Sequence, residues 1–214
     1  NVKIISAKGD GEGKNITTLP GNYIEPSFSN DGKLITYQKF SDGFLLSPKY
    51  SNEPGIYVAD LEKKIHTRVS NSGSDPHFAG DDSRVYFTTG VPNTDYPELQ
   101  LVSVDLSGKD RREHIYGADK ISEFRLSPDK KWVAFIYQYN AYAMPFMETG
   151  KRITIAPNST SIQVKQLTKR AGETLTWSAD NKSVSWTHGA TFYERELKDA
   201  FDFVPDAEEK LPEP

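Results

Sequence analysis

Four stretches of this chain repeat one pattern: Pro26–Tyr37 (PSFSNDGKLITY), Pro76–Phe87 (PHFAGDDSRVYF), Phe124–Phe135 (FRLSPDKKWVAF) and Leu175–Trp186 (LTWSADNKSVSW). Each carries an aromatic residue or leucine, a small residue, a turn containing aspartate, and then an alternating apolar run. The turn aspartates are Asp31, Asp81, Asp129 and Asp180, separated by 50, 48 and 51 residues. A period of that length marks stacked supersecondary units, none of which can bury its apolar face alone. The repeat therefore limits the fold more tightly than any local motif.

One unit can be read physically. In Ser29-Asn30-Asp31-Gly32-Lys33 the aspartate can accept backbone N–H groups within the turn, and Gly32 tolerates a positive φ. The flanking runs alternate with period two, which is hairpin chemistry. A third strand follows in Gly55–Leu61 and Leu99–Leu106, with Ala141–Phe146 and Phe192–Leu197 in the equivalent places. A fourth, weaker strand follows a polar turn, as in Lys64–Val69 and Gln163–Leu167. Four antiparallel strands per unit make the blade of a β-propeller. The sequence thus predicts an all-β chain, with blades over 23–72, 73–121, 122–172 and 173–205 and a linker toward a following domain over 206–214. Residues 1–22 read as the outer two strands of a preceding blade, Val2–Ala7 and Lys14–Leu19.

This count leaves the propeller incomplete and open. The last repeat supplies its own outer strand in Phe192–Leu197, with Phe201–Val204 as a candidate for another, so the N-terminal pair has no vacancy to fill. Unpaired strand edges and an apolar blade face are an aggregation hazard and need a cover. The expected cover is the remaining blades, on another chain or on an absent part of the same protein. The opening Asn1-Val2-Lys3-Ile4-Ile5, which lacks an initiator methionine, reads as part of a processed or excised piece.

Composition removes several function classes. The 214 residues are enough for a real core, and 36% hydrophobic with 12% aromatic content suits many short strands. A net charge of −4 without a basic block argues against nucleic-acid binding. No run approaches the roughly 18 apolar residues of a membrane span. The absence of cysteine excludes disulfides, thiolate metal sites and a cysteine nucleophile. It fits an exported bacterial protein, and many cytosolic ones as well.

The pattern of proline, aromatic and Ser-x-Asp-Gly-Lys before a short apolar strand resembles the WD40-like (PD40) repeat of TolB-type propellers. Ser29–Lys33 matches it closely, and Ser127-Pro128-Asp129-Lys130-Lys131 matches with lysine for glycine. Ala79–Ser83 and Ser178–Lys182 depart further but keep the aspartate. The last third, with Tyr139–Phe146, Trp177–Asp180, Leu197–Phe201 and the tail Glu209–Pro214, resembles the propeller region fused ahead of a metal-dependent amidohydrolase domain. That resemblance implies a non-catalytic propeller portion of a periplasmic or secreted bacterial hydrolase. It would position or shield a catalytic domain that holds a divalent metal such as zinc. Two other readings stay open: a TolB-like periplasmic protein–protein binding module, and the gating propeller of a peptidase.

The chain itself shows no catalytic signature. Gly-x-Ser-x-Gly, His-x-His and HExxH are all missing, so no nucleophile elbow, amidohydrolase metal site or zincin site is encoded, and no cofactor is expected here. His66, His77, His114 and His188 fall in different repeats. His77 shares its repeat position with Ser27, Arg125 and Thr176, which are candidates for the side of a central channel or for packing between blades. Asp31, Asp81, Asp129 and Asp180 read as structural turn residues. The Gly9–Gly13 loop fails the calcium pattern of an EF-hand. The sequons at Asn15, Asn158 and Asn181 carry no weight outside a eukaryotic secretory route.

Loop lengths carry more. The first repeat inserts Phe40–Pro54 between its second and third strands and the second inserts Gly90–Pro97, whereas the third and fourth turn within a few residues. Long loops in compact domains are uncommon, and Phe44, Leu45, Leu46 and Tyr50, with Tyr96 in the second loop, are apolar for idle connections. Both loops are expected on one face, in contact with a second domain or subunit. The short counterpart in the third repeat holds Tyr137, Tyr139, Asn140 and Tyr142. It reads as a hairpin corner whose rings either pack between blades or join that interface.

Overall fold

The structure is a computed structural model that describes residues 1–92, 98–117, 120–155 and 162–204. It divides into two compact units, residues 1–87 with 103–111, and residues 88–102 with 112–214. The division runs through the second repeat.

A small sheet comes first, β1 (Lys3–Ile4) antiparallel to β2 (Lys14–Asn15). The first blade follows as β3 (Asn22–Phe28), β4 (Leu34–Ser41), β5 (Gly55–Asp60) and β6 (Ile65–Ser70), hydrogen-bonded in that order. The second contains β7 (Ser74–Phe78), β8 (Arg84–Gly90), β9 (Leu99–Asp105) and β10 (Arg112–Gly117). The third contains β11 (Ile121–Leu126), β12 (Trp132–Tyr137), β13 (Asn140–Pro145) and, after β14 (Ile153–Ile155), the short β15 (Lys165–Gln166). The fourth is three-stranded, β16 (Glu173–Trp177), β17 (Ser183–His188) and β18 (Thr191–Glu196). Two 3-10 turns, Pro48–Tyr50 and Leu197–Asp199, complete the described secondary structure. The chain is thus all-β with four antiparallel blades and an extra N-terminal sheet, as the repeat predicts, and no described sheet closes on itself.

The repeat turns form as their chemistry requires. Asp31 accepts from the Ser29 hydroxyl at 2.7 Å and from Lys33 N–H at 3.0 Å. Asp129 and Asp180 make the same pair of bonds with Ser127 and Lys131, and with Ser178 and Lys182. Asp81 uses Ser83 for both. The following residue is left-handed in the first, third and fourth turns at Gly32, Lys130 and Asn181, and in the second at Asp82.

In the first unit the N-terminal sheet packs on one face of the first blade. Val2 and Ile16 join Ile35, Tyr37 and Ala59 in a buried cluster, flanked by Ile4, Tyr23, Tyr57 and Leu61. Tyr37 stacks on Tyr57 at 5.7 Å, and its hydroxyl pairs with His66 Nδ1 at 2.7 Å. Burial pushes the Tyr37 pKa well above its ordinary value. Arg84 is buried and donates to Ser103 Oγ at 2.9 Å and Asp110 Oδ2 at 2.8 Å.

In the second unit the core lies between the third and fourth blades, with Ala134, Ile136, Ala143 and Leu167 against Leu175, Trp177, Val184 and Trp186. After β18 the chain turns through the 3-10 helix and lays Phe201 and Phe203 around Trp132, at 4.8 and 5.7 Å. The proposed strand Phe201–Val204 does not form; Phe201 is a buried plug instead. Packing on the Trp132 ring takes the Phe201 side chain out of water.

The third repeat holds a second departure. Its chain leaves β13, crosses to the second blade and adds β14 in parallel to the outer strand β10, pairing Ile115 with Ile153 and Gly117 with Ile155. Arg152 secures the crossing over the Tyr116 ring at 4.9 Å, with Gln100 Oε1 at 3.3 Å and Glu113 at 3.5 Å. The second blade's sheet therefore has five strands.

Candidate interaction site

The β4–β5 insertion is a built platform. Asp42 is its clasp: its carboxylate lies 2.6 Å from Lys39 Nζ and accepts from Asn52 N–H at 2.7 Å, while its own N–H donates to Ser51 Oγ at 3.0 Å. Lys39, itself buried, also donates to the Asn52 carbonyl at 2.7 Å. The hydrogen bond from Lys39, aided by that from Asn52, holds the Asp42 pKa below the ordinary carboxylate range. Burial works against the Lys39 ammonium, but Asp42 outweighs it and keeps the lysine pKa raised. Ser47 caps the 3-10 turn, Tyr57 donates to the Glu53 carbonyl at 2.8 Å, and Arg68 donates to that of Pro54.

On this pinned base the tip stands in solvent. Phe44 and Leu45 are 90% and 93% exposed, and Tyr50 and Leu46 are exposed as well. Together they form an apolar tip above a hydrogen-bonded base. Tyr96, the matching candidate in the second insertion, lies outside the described residues.

The tyrosine corner resolves differently. Gln138 and Tyr139 form the two-residue turn between β12 and β13, both with positive φ (45° and 70°), as a type I′ hairpin requires. Tyr142 stacks on Phe135 at 5.5 Å and donates to Gln166 Oε1 at 3.2 Å, with Tyr137 edge-on at 6.1 Å. Asn140 Oδ1 accepts from Thr168 at 3.1 Å. Three of the four candidates are thus engaged in local packing, and Tyr139 alone of them projects into solvent. Pro145 sits at the strand end beyond Tyr142 and Ala143, where β15 pairs, so its missing N–H leaves no gap in the ladder.

The channel-side candidates do not share one environment. His77 is buried, with Nδ1 2.8 Å from the Asp75 carbonyl and its ring stacked on Tyr86. It packs against its own blade. Ser27 is half-buried, and Thr176 is exposed. Arg125 lies 3.8 Å from Glu123, and its carbonyl accepts from Trp177 Nε1 at 2.9 Å. Among the described residues no group of three or more His, Cys, Asp or Glu could hold a metal ion, so these residues do not fit the divalent ion of the amidohydrolase resemblance.

Sequence reasoning missed the stitches between blades. In the first unit Glu25, left-handed at a bulge, accepts from Asp75 N–H at 2.7 Å, and Asp82 accepts from Asp31 N–H at 3.2 Å. In the second, Glu123 accepts from Leu175 N–H at 3.0 Å and Asn181 from Asp129 N–H at 2.8 Å. Neighbouring inner strands are thus tied at both ends. A signal was present: the residue after the turn aspartate is Asp or Asn in the second and fourth repeats, but Gly or Lys in the first and third.

Known structures share this fold. TolB from Acinetobacter baumannii superposes with a TM-score of 0.59 at 18% identity, over 93% of this chain and 47% of that one. The chain has the β-propeller fold. A gluconolactonase from Xanthomonas campestris matches with a TM-score of 0.61 at 13% identity, over 90% of this chain and 63% of that one. The propeller domain of the trilobed protease from Pyrococcus furiosus, described as having an open velcro topology, matches with a TM-score of 0.51 at 12% identity, over 81% of this chain and 54% of that one. The chain spans about half the length of the TolB structures it matches. The sequence matches no known protein family and no curated protein.

Proposed function

We propose that this chain is a non-catalytic propeller portion of a larger bacterial hydrolase, acting through protein contacts. The pinned insertion carries this reading, because it presents Phe44 and Leu45 to water, where a protein partner can cover them. A second observation supports missing propeller parts. Phe28 pairs in register with Ile35, so it shares the face on which the N-terminal sheet packs, yet it is exposed beyond that sheet. In this reading the inner strands of a preceding blade cover it. The catalytic domain in this reading is a metal-dependent amidohydrolase elsewhere in the protein, with a metal such as zinc, in the periplasm or outside the cell. The motifs of the last third and the likeness to TolB support it. A TolB-like binding module is the second reading, favoured by the span of the A. baumannii superposition.

The test is Phe44→Ser with Leu46→Ser in the full protein, measuring assembly by light scattering and hydrolysis of amide substrates with added divalent metal. Impaired assembly with intact folding supports the platform. Unchanged assembly and activity would end it. Normal assembly of a protein without any metal-dependent hydrolysis would favour the binding module.

A further inference from the structure

We propose that the free edge of β18 is an acceptor for one added strand: an extended antiparallel segment, apolar on one face and basic on the other. The proposal rests on the open-propeller reading and names what completes its last blade.

The chain supplies its own comparison. The third strands β5, β9 and β13 are mostly buried, whereas β18 is exposed at every residue except the half-buried Arg195. Each of the first three lies inside its sheet, while β18 is the last strand of its own. No described residue pairs with its outer edge, because the chain departs through the 3-10 turn toward Trp132. Among the described residues, the outward backbone groups of Phe192, Glu194 and Glu196 thus have no strand partner and stand beside half-covered side chains, which is a template for strand addition.

Register defines what fits. Tyr193 and Arg195 stand opposite Trp186 and Val184, on the face packed against the third blade. Arg195 is committed there, donating to the Leu167 carbonyl at 3.1 Å and the Asp199 carbonyl at 2.9 Å. An incoming strand meets an apolar, charge-satisfied surface on that side. The opposite face carries Phe192, Glu194 and Glu196, opposite Thr187, Ser185 and Ser183. Glu194 accepts from the Ser183 hydroxyl and keeps its full charge, and Glu196 lies 2.9 Å from Lys198 Nζ in an exposed pair. The two carboxylates at alternate positions still favour basic residues across the strand and disfavour acidic ones, with Glu194 the stronger determinant. The segment 205–214 is ill-suited to that role, with four acidic residues, one lysine and three prolines.

Hydrogen exchange of the 214-residue chain tests this with synthetic strands. The probes are acetyl-Lys-Val-Lys-Val-Lys-Val-amide, its Glu-for-Lys counterpart, and a version with proline for the central valine. Without peptide, the amides of 191–196 should exchange faster than those of β5 and β13. The basic strand should slow them saturably, the acidic strand should bind about fivefold more weakly or worse, and the proline strand should give no protection. Glu194→Lys with Glu196→Lys should invert the preference between the basic and acidic strands, a response that mere loss of folding cannot produce. If β18 is already as protected as β5 at every protein concentration, the open-propeller reading falls along with the proposal. Protection that grows with protein concentration alone assigns the edge to a second copy and overturns the proposed partner. Fast exchange that ignores both charged peptides refutes strand addition but leaves the open propeller standing.

Discussion

Phe201→Ala should damage the packing of the second unit of this protein. The ring is buried to 1% and lies 4.8 Å from Trp132 and 5.5 Å from Phe203, in the cluster that also holds Leu197 and Ala200. Truncating such a phenylalanine costs about 3–5 kcal/mol, the sum of lost transfer free energy and a cavity that neighbours only partly fill. Against a usual stability of about 5–15 kcal/mol, that is a large fraction. For a domain of this size it amounts to a fall in Tm of about 6–20 °C. All three tryptophans, Trp132, Trp177 and Trp186, belong to the second unit, so indole fluorescence reports on that unit alone. Thermal unfolding followed at the indole emission should show the shift, while Phe201→Leu, which keeps most of the volume, should cost only about 1–1.5 kcal/mol. A shift below about 2 °C for the alanine variant would mean that Phe201 is not packed on Trp132, and the account of the chain's exit from β18 would be wrong.

The blade stitches make paired predictions. Glu123→Ala strands the buried Leu175 N–H and should lower the indole-reported stability by about 1–3 kcal/mol, whereas Glu25→Ala should leave that signal alone and speed amide exchange around Asp75. Replacing Gln138-Tyr139 by Asn-Gly relieves two positive φ angles and should stabilise the second unit by about 1 kcal/mol, read as a rise in Tm; a fall would show that the Tyr139 ring contributes contacts of its own. Asp42→Ala should free the insertion, so chymotrypsin should cut after Phe44, Leu45 or Tyr50 several-fold faster while circular dichroism stays unchanged. Because the Asp42 pKa is depressed in the folded chain, its contribution is complete above the ordinary aspartate value of about 4 and is lost as pH falls through the lower folded value. The loop should therefore remain resistant at pH 5 and become cleavable only under stronger acid, tested with an acid-stable protease.

The four blades, their aspartate turns and a hairpin corner around Tyr137–Asn140 are legible in the amino-acid sequence; the type I′ form of that corner came from the structure. Each of these is set by residues within about ten positions of one another: a Ser-x-Asp turn, strands of alternating polarity, a short connection. The sequence also marked the insertion at Phe44–Tyr50 as too apolar for an idle loop. Only the tertiary structure decided where long-range partners meet. Residues 153–155 left their own repeat to extend the second blade, Phe201 plugged the Trp132 face instead of forming a strand, and His77 turned into its blade. Glu25 and Glu123 found backbone donors 50 and 52 residues away. Alternation of polarity states which side chains are buried but not which neighbour buries them, because apolar attraction has no direction and many faces compete for the same ring. That choice is made by shape and by the few hydrogen bonds that only the assembled blades can complete.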